Sequence, residues 1–442
     1  MTKDLTKGSP AKVILLFTLP LIAGNIFQQM YAVVDTLLVG RFLGVEALAA
    51  VGCTGALMFL MIGFVMGATT GITIKTGQYF GAKDARMVRR STATCVVICI
   101  GLSLVLSIGG YFACRPILQL MQTPPEIMGD AVSFISVVYG GISQMVFFAM
   151  QTNLIRVLGD SRTPTVMLAF SLIINIILEP IVLLWLKWGV SGAAMATIAA
   201  QFSGNMACLW FIWRRLPDVH AKGDDWRVTW PEIADHLKLG LTMGSQTAIV
   251  ALGAIIVQVA LNGLGPIPVA AYSAAQKVDM IFTMPIISFG MAMAAYTAQN
   301  YGAHAVERIK TGVRKCALMS GAYSIFAGVI NLMFGDKMME LFVGAEERQV
   351  IEMGYMLLTI TSFCYIALEL IFVFRNALQG LGQTVVPSIA VVIELIIRFL
   401  AAVYLVEWYG YLGVCLSMPL AWIGSVIPLA LAWWQTEKVL CK

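Results

Sequence analysis

Charged residues and histidines are scarce in this chain of 442 residues. Asp, Glu, Lys and Arg make up 12% of it, about half the share found in soluble domains, and only three histidines occur. The histidines lie in polar segments, and the nine cysteines are scattered mostly through apolar ones, so neither type forms a metal-ligand cluster. These shortages argue against a soluble domain, a histidine-based enzyme and a metal centre.

Long apolar runs are abundant instead. Hydrophobic residues make up 59% of the chain, and its mean hydropathy is +0.84. About 20 consecutive apolar residues are enough for a helix to cross a bilayer. The sequence therefore predicts an all-α polytopic membrane protein with twelve transmembrane helices. The predicted spans are 13–38, 47–72, 91–113, 131–155, 164–186, 190–213, 237–261, 268–298, 312–334, 350–374, 384–406 and 410–434.

The distribution of positive charge predicts the orientation of the chain. With both termini in the cytoplasm, 22 of the 29 Lys and Arg residues fall in cytoplasmic segments, five in outer segments and two within spans. Lys and Arg are enriched on the cytoplasmic side of membrane proteins. We therefore expect a multi-pass protein of the cell (plasma) membrane with cytoplasmic N- and C-termini.

The second half of the sequence repeats motifs of the first half, which indicates an internal duplication. Gln78-Tyr-Phe-Gly-Ala returns later as Gln299-Asn-Tyr-Gly-Ala, and Leu158-Gly159 returns as Leu381-Gly382, in the same order and at nearly the same spacing. Each half has an even number of spans and hence the same orientation, which indicates a pseudo-two-fold axis along the membrane normal. A substrate cleft is expected between or within the halves. The predicted parts are an N-terminal six-helix lobe (1–213), a cytoplasmic inter-lobe loop (214–236) and a C-terminal six-helix lobe (237–442).

Asp35 is the only charged residue between Leu21 and Leu38 in the first apolar run. An ionised Asp inside a bilayer costs about 2.5–3.5 kcal/mol even on the mildest insertion scales. We therefore interpret Asp35 as a proton or cation site that faces the protein interior. The alternative is that Asp35 reaches the outer interface, because Arg41 follows within about two turns.

A second acid is predicted beside it. Asn175 and Glu179 are four residues apart on the fifth span and share a helical face. Pro180 has no N–H group, so it leaves a carbonyl oxygen one turn earlier without its helical donor. The span directions place Asp35, Asn175, Glu179 and Thr197 at one depth, in the outer half of the first lobe. Their oxygens suit Na⁺, but two close carboxylates can also share a proton. A purely structural hydrogen bond between Glu179 and Asn175 is the third interpretation.

Other polar residues within the spans are candidates for substrate contact or for structural pairing. Gln28 and Tyr31 precede Asp35 on the same span and are predicted to line the cleft, and Asn153 on the fourth span is a further candidate. In the second half, Lys277 and Asp279 are two residues apart and do not face each other, whereas Glu394 and Arg398 can pair along one helix. A structural charge network is the preferred interpretation there, with a substrate or proton relay as the alternative.

Four patterns in the chain are specific when taken together. They are Gln28-Gln-Met-Tyr-Ala-Val-Val-Asp35 with its continuation to Gly44, Gln78-Tyr-Phe-Gly-Ala-Lys, Arg156-Val-Leu-Gly-Asp-Ser-Arg-Thr-Pro164 and Asn175-Ile-Ile-Leu-Glu-Pro180. Through these patterns the sequence resembles the multidrug and toxic compound extrusion (MATE) transporters over essentially its whole length.

The resemblance implies a prokaryotic transporter, not an enzyme, that exports amphipathic, often cationic compounds by Na⁺ or H⁺ antiport with alternating access. In one branch of the family the coupling site lies in the N-terminal lobe, at positions that match Asp35, Asn175, Glu179 and Thr197 here. That branch usually has Asp before the proline, so Glu179 leaves the ion preference open. No cofactor beyond the coupling ion, no nucleic-acid partner and a monomer surrounded by lipid are expected.

Three other functions remain as alternatives. A flippase for a lipid-linked precursor of the same superfamily would need a strongly cationic cavity, for which Lys277 and Arg398 are few. An intramembrane enzyme has no nucleophile–base pair or metal-ligand set to support it. A channel fits duplicated lobes less well than alternating access does.

Overall fold

The structure is a computed structural model that describes residues 4–121 and 123–440. This part of the chain is helical, with no β-strand. In the first half the helices are α1 (Pro10–Leu43), α2 (Val45–Gly81), α3 (Ala85–Leu120), α4 (Pro125–Gly140), α5 (Ile142–Val157), α6 (Arg162–Pro180) and α7 (Gly189–Arg215). In the second half they are α8 (Trp230–Asn262), α9 (Pro266–Gly302), α10 (Val306–Val343), α11 (Arg348–Phe363), α12 (Tyr365–Gly380), α13 (Val385–Leu400), α14 (Val406–Tyr409) and α15 (Tyr411–Leu440).

The helices account for all twelve predicted spans. Within the described residues, ten stretches are long and apolar enough to cross a membrane, and two bent helix pairs bring the number to twelve. The twelve-span prediction is therefore confirmed, but two spans are broken in a way that the sequence analysis did not predict. The pair α4 and α5 bends by 48° and the pair α11 and α12 by 52°. Lys3 and Lys442, which enter the charge count, lie outside the described residues.

The backbone repeats its unusual conformations at the spacing of the duplication. Lys83 and His304 occupy equivalent positions in the two repeated motifs, and both have positive φ angles, of 58° and 54°. Glycines with positive φ recur in the same way, at Gly44 and Gly265, Gly159 and Gly382, and Gly189 and Gly410. The residues at the two helix breaks, Gly141 and Cys364, are separated by the same length of chain as Gly159 and Gly382. The same chain path is thus built twice.

The chain divides into two compact units. The first contains Asp4 and Ala23–Gly244, and the second contains Leu5–Ile22 and the chain from Ser245 onward. Helices α1 and α8 therefore each contribute residues to both units, which the sequence analysis did not anticipate. The lobe limits at 213 and 237 stay predictions.

The connection between α7 and α8 is short and ordered by polar contacts within the first unit. It covers residues 216–229 and includes the 3₁₀ turns Pro217–Val219 and Gly223–Trp226. Arg89 on α3 donates through Nε to Asp225 Oδ2 at 3.0 Å, and the Lys222 backbone N–H donates to the same oxygen at 3.0 Å. These donors, first the Lys222 N–H and then Arg89, hold the pKa of Asp225 below its ordinary value.

In the second unit, the segment before α1 is held by the repeated Gln-Asn-Tyr-Gly-Ala motif. The Leu5 N–H donates to Gln299 Oε1 at 3.0 Å, and Asn300 Nδ2 donates to the Leu5 carbonyl at 3.3 Å. Arg308 Nη1 donates to the Gly8 carbonyl at 2.8 Å. Leu5 itself is buried in the hydrophobic core of that unit. The motif therefore positions the entry of the chain into α1.

Within the first unit, α2 and the start of α8 approach each other at a glycine. A methyl group built on Gly71 would lie 2.5 Å from the Leu239 carbonyl oxygen and 2.7 Å from the Gly240 Cα atom. On the other side, a methyl group on Gly240 would lie 2.5 Å from Ile72 Cγ2. Small residues allow backbones to pack this closely in membrane proteins.

We expect Gly71→Ala to destabilise the protein by about 1–3 kcal/mol, because the added methyl group meets backbone atoms that cannot rotate away. Thermal unfolding of the purified protein in detergent, followed by its folded fraction, measures this cost. Gly101→Ala on α3 is the control, because nothing lies within 4 Å of its added methyl group. Equal stability of the two variants would show that α2 and α8 are not in close contact there.

Candidate functional site

A chain of hydrogen bonds joins three helices of the first unit. Thr197 Oγ1 on α7 donates to Asp35 Oδ1 on α1 at 3.1 Å. Asn175 Nδ2 on α6 donates to Thr197 Oγ1 at 3.4 Å. Three of the four residues predicted to share one depth are thus in direct contact. Since Thr197 holds the Asp35 carboxylate toward the other helices, the structure does not favour the alternative in which Asp35 extends to the interface.

Glu179 is the fourth member, and no protein group among the described residues compensates its charge. Its side chain is 0% exposed, and within the described residues neither carboxylate oxygen has a hydrogen-bond partner. Asn175 Oδ1 is equally without a partner there, so the hydrogen bond between Glu179 and Asn175 considered above is absent. Glu179 lies close enough to Asp35 and Tyr31 to interact with them electrostatically. A buried carboxyl group in this setting needs a proton or a bound cation.

The backbone is irregular immediately beside Glu179. Helix α6 ends at Pro180, and the chain continues as a π-helix over Ile181–Leu186. Proline cannot donate to the carbonyl one turn earlier, and π-helical turns are frequent at functional sites. In the second half a π-helix, Ala401–Leu405, follows α13. The irregularity is therefore part of the repeated fold, whereas the acid at Glu179 is particular to the first half.

The four side chains offer oxygen ligands only. They supply two carboxylates, the amide oxygen of Asn175 and the hydroxyl of Thr197. Within the described residues there is no cluster of three or more His, Cys, Asp and Glu side chains of the kind that transition metals require. The set fits Na⁺, a hard cation, and it equally fits one proton shared between two acids.

A cavity of about 350 Å³ in the first unit reaches this cluster. Gln28, Tyr31 and Asp35 line it from α1, and Thr197 and Gln201 line it from α7. Tyr31 is held in place because its hydroxyl donates to the Thr197 carbonyl at 3.5 Å. Asn175 and Glu179 are not among the lining residues, so Asp35 and Thr197 separate them from the cavity.

The remaining wall of this cavity is mostly apolar, with the hydroxyl groups of Thr36, Thr54 and Ser171 as exceptions. Four methionines contribute to it, and the thioether side chain fits apolar surfaces of varied shape. Within the described residues, no Lys or Arg side chain lines the cavity. The methionines are Met58, Met61, Met66 and Met145.

Asn153 lies away from the cavity. Its Nδ2 donates to Thr69 Oγ1 at 3.0 Å, and its Oδ1 accepts from Arg156 Nη1 at 3.3 Å. The side chain is buried, and both of its polar atoms are engaged by protein groups. The structure thus gives Asn153 a packing environment, and its contact with substrate stays a prediction.

In the second unit, two arginines compensate the buried charge of Glu394. Glu394 accepts from Arg398 Nη2 at 2.5 Å and from Arg375 Nη2 at 3.4 Å, and Arg398 also donates to the Val250 carbonyl. Sequence spacing indicated the first of these pairs, but Arg375 on α12 was not linked to Glu394, because helices far apart in sequence give no such signal.

Asp279 and Lys277 on α9 do not pair with each other. Asp279 Oδ1 accepts from Tyr365 at 2.7 Å and from Thr361 at 3.0 Å, on the two sides of the break between α11 and α12. Asn331 Nδ2 donates to the Tyr365 hydroxyl at 2.8 Å. Lys277 is exposed. Nothing in the sequence indicated that neutral hydroxyl groups are the partners of Asp279.

We expect Glu394→Gln to cost about 3–5 kcal/mol of stability, because it leaves the buried Arg398 and the half-buried Arg375 without a counter-charge. Arg398→Met should cost less, since Arg375 still neutralises Glu394. Folded yield and thermal unfolding of the two variants show which of them loses more stability. If Arg398→Met proves the more damaging of the two, Arg375 does not share the charge of Glu394.

Comparison with known proteins identifies the fold. A family model described as MatE matches residues 20–181 and, in the second half, residues 243–404. A solved structure described as the outward-facing conformation of a multidrug resistance MATE family transporter of the MOP superfamily has a TM-score of 0.90. It is 20% identical in sequence, and the alignment covers 99% of this chain and 98% of that one.

Curated relatives match over nearly the full length. The probable multidrug resistance protein YpnP of Bacillus subtilis is 24% identical over 432 residues, covering 96% of this chain and 94% of that protein. The FAD transporter of Shewanella oneidensis is 21% identical over 419 residues, covering 92% and 91%. The family model matches both halves and most of the residues, and it confirms the resemblance found in the sequence. The chain therefore belongs to the MatE family, a family of membrane transporters and not of enzymes.

Proposed function

We propose that this protein exports amphipathic, often cationic organic compounds by antiport against Na⁺ or H⁺. The observation that carries the proposal is that Asp35 and Thr197 belong to two sites at once. Both line the cavity, and both also belong to the oxygen cluster that contains the uncompensated Glu179. One carboxylate therefore serves the organic cation and the coupling ion.

The mechanism follows from competition for negative charge. With Asp35 and Glu179 free of the coupling ion, the cavity is attractive to an organic cation and excludes anions. A proton or Na⁺ at the cluster neutralises Asp35, removes this attraction and favours release. Thermodynamic reciprocity then requires that the bound drug weaken ion binding by the same factor. Alternating access, coupled to these two occupied states, converts the ion gradient into export.

The cavity supports a cationic substrate over an anionic one. Asp35 lines it, and no lining residue among those described is a Lys or Arg. A flippase for a lipid-linked pyrophosphate would need several positive charges in that place. The Shewanella relative is described as an FAD transporter, so substrates differ within the family, and the substrate of this chain must be read from its own cavity.

We further propose that the protein works as a monomer in the plasma membrane, with both termini in the cytoplasm. The charge count carries this orientation, because the positive-inside rule gives 22 Lys and Arg residues inside and five outside. The ligands implied are organic cations, the coupling ion and membrane lipids.

The ion cluster makes a direct prediction for Asp35→Asn and Glu179→Gln. In the wild-type protein, raising Na⁺ or lowering pH should weaken binding of a cationic dye by about 5- to 150-fold, the usual range of coupling between two sites. Each variant should lose this dependence and gradient-driven efflux, while remaining folded. Dye binding in detergent and dye efflux from vesicles, with Na⁺ and pH gradients imposed separately, measure both effects and identify the coupling ion.

Glu126→Gln is the matched control, because Glu126 is an exposed carboxylate in the first turn of α4 and does not line the cavity. It should leave ion-dependent binding unchanged. Full ion dependence in Asp35→Asn would place the coupling site elsewhere and refute the proposal.

Orientation has its own test at Asp218, an exposed residue in the connection between α7 and α8. In Asp218→Cys, a membrane-impermeant maleimide should label the new cysteine in broken cells only. Glu346→Cys, exposed in a predicted outer segment, should be labelled in intact cells. Labelling of Asp218→Cys in intact cells would invert the proposed topology.

A further inference from the structure

A second cavity, of about 520 Å³, lies in the first unit and shares no lining residue with the cavity at Asp35. Helices α3, α5 and α7 form its walls, and the connection between α7 and α8 contributes Val219, His220, Ala221 and Trp226. No Asp, Glu, Lys or Arg of the described chain lines it. Its volume is in the range of small-molecule sites.

The two cavities lie against different faces of α5 and at different levels along α7. On α5, Met145 and Phe148 line the cavity at Asp35, whereas Phe147 and Gln151 line the second cavity. On α7, Gln201 marks the end of the first set, and the residues from Phe202 onward belong to the second. The second cavity is thus a separate compartment and not an extension of the first.

Two buried amide oxygens in its wall have no partner within the described residues. Asn205, which is 2% exposed, donates through Nδ2 to the Gln144 carbonyl at 2.8 Å and to Gln144 Oε1 at 2.9 Å. Because a carbonyl only accepts, this contact fixes the orientation of the amide and leaves Asn205 Oδ1 without a donor. Gln151 is 7% exposed, and its Oε1 is likewise unpartnered. Buried acceptors of this kind call for a donor from a ligand or a water.

His220 adds a further acceptor at the same cavity. Its Nε2 lies 3.1 Å from the Ile212 carbonyl, which requires the ring to donate from that nitrogen. The neutral ring then keeps Nδ1 as an acceptor. The acceptors at this cavity therefore suit a hydrogen-bond donor from a ligand, beside the amide N–H groups of Gln144 and Gln151, and the described lining residues include no fixed charge that could pair with an ion.

One wall of the cavity reaches the membrane-facing surface of α7. Phe202, Met206 and Leu209 line the cavity, yet each is between 44% and 49% exposed. Exposed apolar side chains on a membrane-spanning helix contact lipid chains. At the other end Trp226 lines the cavity, and the nearby contact between Arg89 and Asp225 holds its segment on α3. Trp226 is itself 49% exposed, so exposed apolar side chains border the cavity both on α7 and at the connection, and α7 provides its apolar entrance.

We propose that this cavity binds a neutral single-chain amphiphile from the membrane, with a hydroxyl group donating its one proton to Asn205 Oδ1 or to Gln151 Oε1 and the chain lying along Phe202 and Leu209. A cationic head group would find no carboxylate among the described lining residues, and a phosphate would find no Lys or Arg. The site is distinct from the cavity of the proposed transport cycle and does not depend on it.

Photolabelling tests the proposal with the full-length protein in lipid nanodiscs. The probe is a long-chain primary alcohol with a diazirine in its chain, and peptides of α5 and α7 are analysed by mass spectrometry. Unlabelled dodecanol should compete with the probe about five- to tenfold better than methyl dodecyl ether, the value of one hydrogen bond. The ether has the same chain but no donor. Equal competition by alcohol and ether would mean that water satisfies the two oxygens, and the proposal would be wrong.

Variants identify the residues. Gln151→Leu should lower labelling about fivefold, because it removes one acceptor. Leu209→Trp should block labelling by filling the entrance. These two variants keep the test valid if Asn205→Leu does not fold after losing its contact with Gln144. Trp210→Leu is the control on the same helix, because Trp210 is exposed and does not line the cavity. Asp35→Asn should leave labelling unchanged, whatever it does to transport. Labelling that persists in Leu209→Trp, or that falls in Asp35→Asn, contradicts a separate site.

Discussion

A carboxyl group among apolar helices must be neutralised, and most of this structure can be understood from how each acid meets that requirement. Glu394 is neutralised by two arginines, and Asp279 is hydrogen-bonded by two hydroxyl groups. Asp35 has one hydroxyl donor, and Glu179 has no donor within the described residues. Glu369 in the second unit, like Asp35, has one hydroxyl donor, from Ser320. Among these buried acids the demand for an external cation or proton is therefore greatest at Glu179.

The two halves of the chain share a backbone path but differ in the side chains that could bind an ion. Both halves repeat the left-handed turns, the broken span and the π-helix in the same order and at nearly the same spacing. The side chains at equivalent positions have diverged. Asn175 keeps an amide oxygen without a partner among the described residues, whereas Arg398, at the matching position of the second half, closes an ion pair. The proposed ion site and the ion-pair network of the second half thus include equivalent positions of the repeated fold.

Much of this arrangement could be predicted because membrane helices follow strong rules. Length and apolarity defined the spans, and the directions of three spans were enough to bring Asp35, Asn175 and Thr197 to one depth. The sequence analysis did not predict the breaks at Gly141 and Cys364. The pair Gly140-Gly141 is a signal for the first, because paired glycines are a common cause of helix kinks, whereas Cys364 lies between Phe363 and Tyr365 and gives no such signal. It also could not predict Arg375 beside Glu394 or the hydroxyl partners of Asp279, because such contacts depend on how helices rotate about their own axes. Cavities are invisible to sequence for the same reason.

The methionines in the wall of the cavity at Asp35 make this wall sensitive to oxidation. A thioether oxidises to a sulfoxide, which is polar, chiral and a strong hydrogen-bond acceptor, and specific reductases reverse the change. In Met58, Met61, Met66 or Met145 this oxidation would place a polar group on a wall that otherwise adapts to apolar shapes. Oxidation of these side chains would therefore change which compounds the cavity accepts, and the substrate range would depend on repair by the reductases.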